Sequence, residues 1–472
     1  MIFNSFAFAV FICVTLVCLA LLPTRGRVCF LIAASYLFYS VTYPPWLVLL
    51  LACTLVDYRL ARMLEGRTDR GARVALLLAS CVLNLGLLAF YKYAAFIATT
   101  VNGGAAMLGI DLRLPVLAVG LPLGISFYVF ESMSYVIDVY RGRTPAIRRL
   151  TDYALFIAFF PHLIAGPIVR ARDFVPQIAG HQPFARDKTI RGVELIALGF
   201  FKKTVIADNC APLVDAVYSG PALAGGAALW LATMFFAVQI YCDFSGYTDI
   251  ARGLANVMGF ELGLNFKFPY LSRSIRDFWR RWHLSLSAWL RDYLYIPLGG
   301  SRQGRARMAV AITLTWLLGG LWHGAAWNFV AWGLFHGVLV SMAAAVEGRR
   351  AGALWDRLPA LFQIGLTFAL VLWGWVLFRA DNVTQAFAMW RAMIAPRDAG
   401  FMRGAEIFSA FSLTMLAFAA ALHAITYWIR RDAERPFLID APYMVRAGAI
   451  ALTGLACFLF AGKAQTFIYF QF

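Results

Sequence analysis

The chain has 472 residues, 61% of them hydrophobic and 14% charged, with a mean hydropathy of +0.70. That balance excludes an ordinary water-soluble domain and predicts an all-α, multi-pass membrane protein. The net charge of +17, from 42 basic and 25 acidic side chains, does not point to nucleic acid. The basic residues fall in short loops between apolar runs, where they orient spans and meet anionic lipid or anionic substrate.

Residues 3–22 form the first apolar run. It lacks a basic n-region and a small-residue cleavage site, so it reads as a retained span rather than a signal peptide. Basic residues follow at Arg25 and Arg27 and, after predicted spans over 28–43 and 46–60, again between 59 and 73. If both loops are cytoplasmic, the N-terminus lies outside and Pro44-Pro45 is a tight outer turn. A span over 74–90 comes next, then a glycine-interrupted apolar region to 110. The eight cysteines, at 13, 18, 29, 53, 81, 210, 242 and 457, show no CxxC and no Cys/His pairing. Neither a disulfide framework nor a metal site is expected.

Residues 121–142, LPLGISFYVFESMSYVIDVYRG, place Glu131 and Asp138 in an otherwise apolar helix. Such carboxylates ordinarily pair with Arg or Lys from another helix. Between basic runs at 141–149 and 170–191 lies LFIAFFPHLIAGPIVR, in which Pro161, Gly166 and Pro167 break any continuous helix. With both flanks basic it reads as a re-entrant segment, and His162 within it as satisfying a neighbouring carbonyl. The short run 193–205, with Lys202 and Lys203 at its end and Asp208 and Asp215 beyond, reads as interfacial. A span over 227–241 continues into CDFSGYTDIARGLANVMGF. There Asp243 and Asp249 either hydrogen-bond helices together, the commoner role, or line a polar chamber.

Residues 267–307 carry nine basic side chains against two acidic ones, Asp277 and Asp292, which assigns them to the cytoplasmic side. Phe278, Trp282, Leu286 and Trp289 recur at helical spacing, with Arg276, Arg280 and Arg291 between them. The pattern predicts an amphipathic helix along the membrane boundary. It leaves open whether His283, beside that stripe, points inward or toward solvent and lipid.

The stretch 309–345, AVAITLTWLLGGLWHGAAWNFVAWGLFHGVLVSMAAA, has no ionisable side chain except His323 and His336. At 37 residues it exceeds one span of about 20, and Gly319-Gly320 is the predicted break between two. A histidine beside such a break, deep in apolar sequence, costs free energy unless partnered, which makes His323 the first candidate for chemistry. The last predicted spans are 361–378, 407–429 and 447–461, with His423 structural in the second. The chain closes on FIYFQF. No repeat or soluble domain is apparent, and 1–472 reads as one integral-membrane domain, with N-terminal spans to 120, a core over 121–345 and C-terminal spans from 346.

If His283 and His323 converge, a neutral imidazole there can take a proton from a hydroxyl while that oxygen attacks a thioester. Desolvation would hold the imidazole in its basic form. No Gly-x-Ser-x-Gly elbow or activated Cys-His pair is visible, which favours direct acyl transfer over a Ser or Cys intermediate. Arg276, Arg280 and Arg281 suit the phosphates of coenzyme A.

The chain resembles the membrane-bound O-acyltransferase family, and within it the alginate O-acetyltransferase branch. The resemblance rests on PLGISFYVFESMSYVIDVYRG (122–142), FFPHLIAGPIVR (159–170), YCDFSGYTDIARGLANVMGF (241–260), SIRDFWRRWHLSLSAWLRDYLYIPLGG (274–300), LWHGAAWNFVAWGLFHG (321–337) and WVLFRA (375–380). It implies a ring of tilted helices around a thin core with re-entrant and interfacial helices, where a cytoplasmic donor meets an acceptor from the other face. The family's essential histidine falls on His323, in a Trp-His-Gly motif, and its second on His283. His336, about 220° round an ideal helix from His323, is expected behind it, and Trp322, Asn328 and Asp243 are expected along the substrate channel or just behind it, with no metal.

The implied activity is transfer of acetyl from cytoplasmic acetyl-CoA across a bacterial inner membrane to an exported alginate-like polysaccharide. Membrane lipid and periplasmic polysaccharide-acetylation proteins are the implied partners. Within the family, D-alanyl transfer from a carrier-protein thioester to lipoteichoic acid is the nearest alternative. A transporter would also explain buried charge, but paired repeats are not visible. Arg280-Arg281-Trp282 is similar to a glycosyltransferase motif, yet nothing here could form the sugar-nucleotide domain that such an enzyme requires.

Overall fold

The computed structural model describes residues 3–41, 44–164, 166–220, 224–347, 349–395, 400–430, 441–463 and 465–468. Among them every regular element is helical, with one isolated bridge between Phe266 and Trp282. Six helical stretches are long and apolar enough to cross a membrane, so this is a multi-pass membrane protein. Packing divides the chain into two units, Met1–Val193 with Ala251–Gly263, and Glu194–Ile250 with Leu264–Phe472.

The first unit contains α1 (Phe6–Leu21), α2 (Thr24–Ser40), α3 (Pro44–Glu65), α4 (Arg70–Leu88), α5 (Ala94–Met107), α6 (Ile125–Tyr140), α7 (Leu150–Ala158), α8 (Phe160–Leu163), α9 (Ala171–Ala179) and the start of α10 (Arg186–Phe200). Ser5 and Asp69 open α1 and α4 by accepting from the Phe8 and Ala72 amides, which satisfies donors that a helix start leaves free. A π-helical turn over Ala89–Tyr93 joins α4 to α5, so that Arg70–Met107 is one candidate span. Asp57 on α3, fully buried, accepts from Ser80 and Asn84 of α4 at 2.6 and 2.8 Å and from Ser132 of α6. Ser132 in turn meets the Tyr153 hydroxyl of α7 at 2.8 Å. One carboxylate thus ties four helices, because several donors compensate for its desolvation.

The predicted break in 155–170 is present. α7 stops at Ala158, and a single turn, α8, follows with Pro161 in its first turn. His162 is fully buried, and the expected bond to a neighbouring carbonyl is not made; the polar group it approaches is a carboxyl. Its Nδ1 lies 3.4 Å from Glu131 Oε1, which accepts from the Val169 amide at 2.9 Å. Neither ring nitrogen of His162 makes a hydrogen bond among the described residues, so this is a close approach of two polar groups in apolar surroundings rather than a bonded ion pair.

The second unit contains the rest of α10, then α11 (Asp208–Tyr218), most of α12 (Gly226–Val257), α13 (Ile275–Trp279), α14 (Leu284–Leu290), α15 (Arg305–His323), α16 (Trp327–Val346), α17 (Arg350–Asp356), α18 (Ala360–Arg379), α19 (Val383–Ile394), α20 (Ala410–Arg430) and α21 (Tyr443–Phe460). Two expectations are corrected here. The amphipathic stripe is not one helix: α13 ends at Trp279 and α14 begins at Leu284, and Phe278, Trp282, Leu286 and Trp289 are buried among protein side chains. Gly319-Gly320 is not a break: α15 runs through it to His323, and the chain turns at Gly324–Ala326.

The glycines serve contact instead. A Cβ at Gly320 would overlap the Phe329 carbonyl, and one at Gly333 would overlap the Trp316 carbonyl. α15 and α16 therefore lie backbone against backbone, the arrangement that small residues permit between apolar helices.

Lys202 and Lys203, at the end of the short apolar run, are paired within the protein. They lie in a π-helical turn, Phe201–Ala207, and Lys203, 1% exposed, is 2.7 Å from both Asp208 and Asp243. Its Nζ also donates to the Gln465 carbonyl at 3.0 Å. Lys202 pairs with Asp249 at 2.6 Å. An ammonium withdrawn from water needs such compensation. Residues 469–472 of the closing FIYFQF lie outside the described residues.

Candidate active site

His283 owes its position to a backbone turn. Its φ of 45° is left-handed, a conformation that a side chain with a Cβ rarely adopts and that tertiary contacts must hold. Those contacts come from residues 265–267. The Lys267 amide donates to the Arg281 carbonyl at 2.9 Å, the Leu284 amide to the Asn265 carbonyl at 3.0 Å, and Ser285 Oγ to Asn265 Oδ1 at 2.6 Å. The turn reverses the chain between α13 and α14 and leaves His283 fully buried, with its ring edge-on to Phe244 of α12 at 4.7 Å. Burial pushes its imidazole down to about 3, so it is neutral near pH 7.

His323 is the last residue of α15 and is 5% exposed. The helix can stop there because Gly324 is extended and any Cβ on it would overlap the Phe329 ring. The two histidine rings are 6.4 Å apart, centroid to centroid. Trp322 touches both, at 5.0 Å from His323 and 6.0 Å from His283. Trp332 of α16 and Phe378 of α18 also flank His323, at 5.1 and 5.4 Å.

The other expected residues fall as follows. His336, 1% exposed, is one ring removed from His323. Trp332 stands between them, 4.9 Å from His336, and Gly374 of α18 leaves space at its Nε2 that a Cβ would fill. Asn328 donates to the Ala380 and Leu377 carbonyls at 2.9 and 3.4 Å and so closes the C-terminal end of α18. Asp243 joins Lys203 to the C-terminal segment, accepting from the Ile468 amide at 2.7 Å. It therefore links elements, the commoner of the two roles expected of it.

Of the arginines, Arg276 pairs with Glu347, and Arg281 pairs with Asp277 at 2.8 Å while lying over Tyr427. Arg280 is exposed and has no ion pair among the described residues. Phe244, Trp332 and Phe378 lie in segments that carry the resemblance but have no role assigned by it, and Asn265 lies outside those segments. Among the described residues no group of three or more His, Cys, Asp or Glu side chains could hold a metal ion.

Comparison with known proteins bears on this arrangement. Residues 143–353 match the family model described as MBOAT, membrane-bound O-acyltransferase family. A probable alginate O-acetylase of Azotobacter vinelandii is 43% identical over 379 residues, covering 80% of this chain and 74% of that protein. A peptidoglycan O-acetyltransferase of Helicobacter pylori is 33% identical, covering 77% and 73% of the two chains. A teichoic acid D-alanyltransferase of Bacillus subtilis is 32% identical over 54% of this chain and 68% of its own length.

Proposed function

The chain belongs to the membrane-bound O-acyltransferase family, and from that premise we propose that it takes acetyl from cytoplasmic acetyl-CoA and delivers it across the bacterial inner membrane for O-acetylation of an exported, alginate-like polysaccharide. His323 is the general base. The observation that carries this reading is the proximity of two buried imidazoles, 6.4 Å apart inside an aromatic surround, from segments that the sequence separates by forty residues.

The step proceeds by direct transfer. His323 accepts the proton of an acceptor hydroxyl as its oxygen bonds to the thioester carbonyl carbon. The carbon–sulfur bond then breaks, and the thiolate takes the proton from His323 to leave as free thiol, which restores the neutral imidazole. His283, neutral and held by its turn, orients the reacting groups beside Trp322. Arg280, together with its neighbours Arg276 and Arg281, binds the phosphates of coenzyme A. Periplasmic polysaccharide-acetylation proteins receive or complete the transfer. The likeness to the probable alginate O-acetylase supports this acyl group and this acceptor. The likeness to the teichoic acid D-alanyltransferase keeps D-alanyl transfer as the second reading.

The test uses sealed inverted membrane vesicles, with labelled acetyl-CoA outside and polysaccharide within. Label on the polymer, absent from His323→Ala vesicles, is the expected result. Mass spectrometry of the transferred group separates acetyl from D-alanyl. Polymer or precursor crossing the membrane with no acyl transfer would refute the reading in favour of a transporter.

A further inference from the structure

We propose that Trp332 and Phe378 set the size of the group that His323 handles and confine it to a short, acetyl-sized acyl unit. This rests on the transferase reading given above and adds to it the residues that select the donor.

Three rings meet the His323 imidazole edge-on: Trp322 at 5.0 Å and 79°, Trp332 at 5.1 Å and 83°, and Phe378 at 5.4 Å and 73°. Edge-to-face pairs at such separations are in van der Waals contact, so those sides of the imidazole have no space for a chain. Trp322 is the neighbour of His323 in sequence, whereas Trp332 and Phe378 come from other helices and form a separate wall.

Each ring of that wall is braced from behind. Trp332, 1% exposed, lies parallel to Trp375 at 6.3 Å and meets His336 edge-on at 4.9 Å and Trp279 at 5.6 Å. Phe378, also 1% exposed, stands edge-on to Phe329 at 5.1 Å and to Trp375 at 5.5 Å. Phe329 is itself fixed where Gly320 and Gly324 omit the Cβ atoms that would overlap it. In an interior packed to this degree a ring cannot swing aside without displacing its neighbours. In the proposed complex a thioester carbonyl next to a hydroxyl held by His323 has its alkyl end against Trp332 and Phe378, where each added methylene meets a wall that does not yield.

The test compares acetyl-, propionyl- and butyryl-CoA in membrane vesicles, reading free-thiol release above a His323→Ala blank in the presence of alginate oligosaccharide. The wild type should favour acetyl over butyryl by at least about tenfold, the lower end of what a hydrophobic pocket achieves for one methylene. Trp332→Phe, Phe378→Leu and Phe378→Ala should each reduce that preference about tenfold, through a gain in kcat/KM for the longer donors. If Phe378→Ala fails to fold, the leucine variant carries the same comparison. Variants that turn over acetyl-CoA with unchanged donor ratios overturn the proposal and leave the transferase reading standing. An equal change in Phe335→Leu, whose ring packs on His336 and Trp390 instead of His323, also overturns it. A wild type that releases no thiol from any donor refutes the underlying reading and this proposal with it.

Discussion

The rings of His283 and His323 face each other at 6.4 Å and 60°, one at a left-handed turn between two short helices and the other on the last residue of a long one. Neither histidine sits within a regular helix interior, where a side chain's direction follows from helical spacing. Both are aimed by the end of an element, and both ends are enforced by contacts from elsewhere in the same unit: Asn265 for His283 and Phe329 for His323.

His323→Ala should abolish acyl transfer, with a loss on the order of 10²–10⁴-fold or more in turnover, the range expected on removing a general base. Protein abundance and the elution profile of the detergent-extracted protein should be retained, because the ring makes edge contacts rather than anchoring a fold element. Acetylation of polymer in cells carrying the variant, measured by mass spectrometry, is the readout. Retained acetylation would remove His323 from its role.

Substitutions at His283 should divide according to the backbone rather than the ring. Glycine adopts the positive φ freely, whereas valine should add strain of about 1–3 kcal/mol. Both should lose activity, but His283→Gly should unfold at a higher temperature than His283→Val. The reverse order in a thermal-unfolding assay in detergent would contradict the turn geometry.

A pH dependence follows from the burial of His283. Its imidazole is held down to about 3, against about 6.5 for an exposed histidine. The unfolded chain then binds the proton that the folded chain refuses, so stability is fully present above about pH 6.5 and is lost as pH falls toward about 3. His283→Gln should show a shallower fall in unfolding temperature between about pH 7 and pH 4.5 than the wild type. Equal slopes would show that the ring is not desolvated.

Gly320→Ala should be severely destabilising, since the added methyl overlaps the Phe329 carbonyl and the Gly333 backbone across the α15–α16 contact. Gly365→Ala, which meets nothing within 4 Å, should be neutral or stabilising by up to about 1 kcal/mol, the helix-propensity difference. Unfolding temperatures of the two variants make the comparison. Equal tolerance would restore the reading of Gly319-Gly320 as a chain break.

Lys203→Met leaves Asp208 and Asp243 buried beside each other and should cost about 3–5 kcal/mol. Adding Asp208→Asn and Asp243→Asn to it should recover much of the loss, because the unpaired charges go with the lysine. A triple variant no more stable than Lys203→Met alone would show that the ammonium does not compensate those carboxylates.

Much of the molecule was legible without coordinates. Apolar run lengths located most of the helices, because burying twenty residues in lipid is a local, additive property of composition. Pro161 and Gly166 announced the interruption around His162 for the same reason: ring closure and a missing side chain act on their own backbone. Motif resemblance pointed to His323 and His283 and to the family. The errors cluster where a residue's effect depends on a distant partner. Helical spacing drew one amphipathic helix over 276–291, yet the hydrogen bonds of Asn265 and Lys267 to the 281–284 backbone favour a turn within it. Glycine in apolar sequence reads locally as a break, whereas the facing carbonyl of Phe329 makes Gly320 a contact. The pairing of Lys202 and Lys203 is not legible locally because their carboxylate partners lie on other segments.

The amino-acid order alone thus determined the class of solvent this protein inhabits, the helical segments and the identity of its histidines, all of which depend on chemistry within a few turns of chain. Tertiary structure alone decided which way those histidines point, which rings enclose them and how the buried ammonium of Lys203 is neutralised. The physical reason is separation along the chain: Asp243 and the Ile468 amide are 225 residues apart, and no local pattern specifies a hydrogen bond whose two halves meet only when the helices between them have packed.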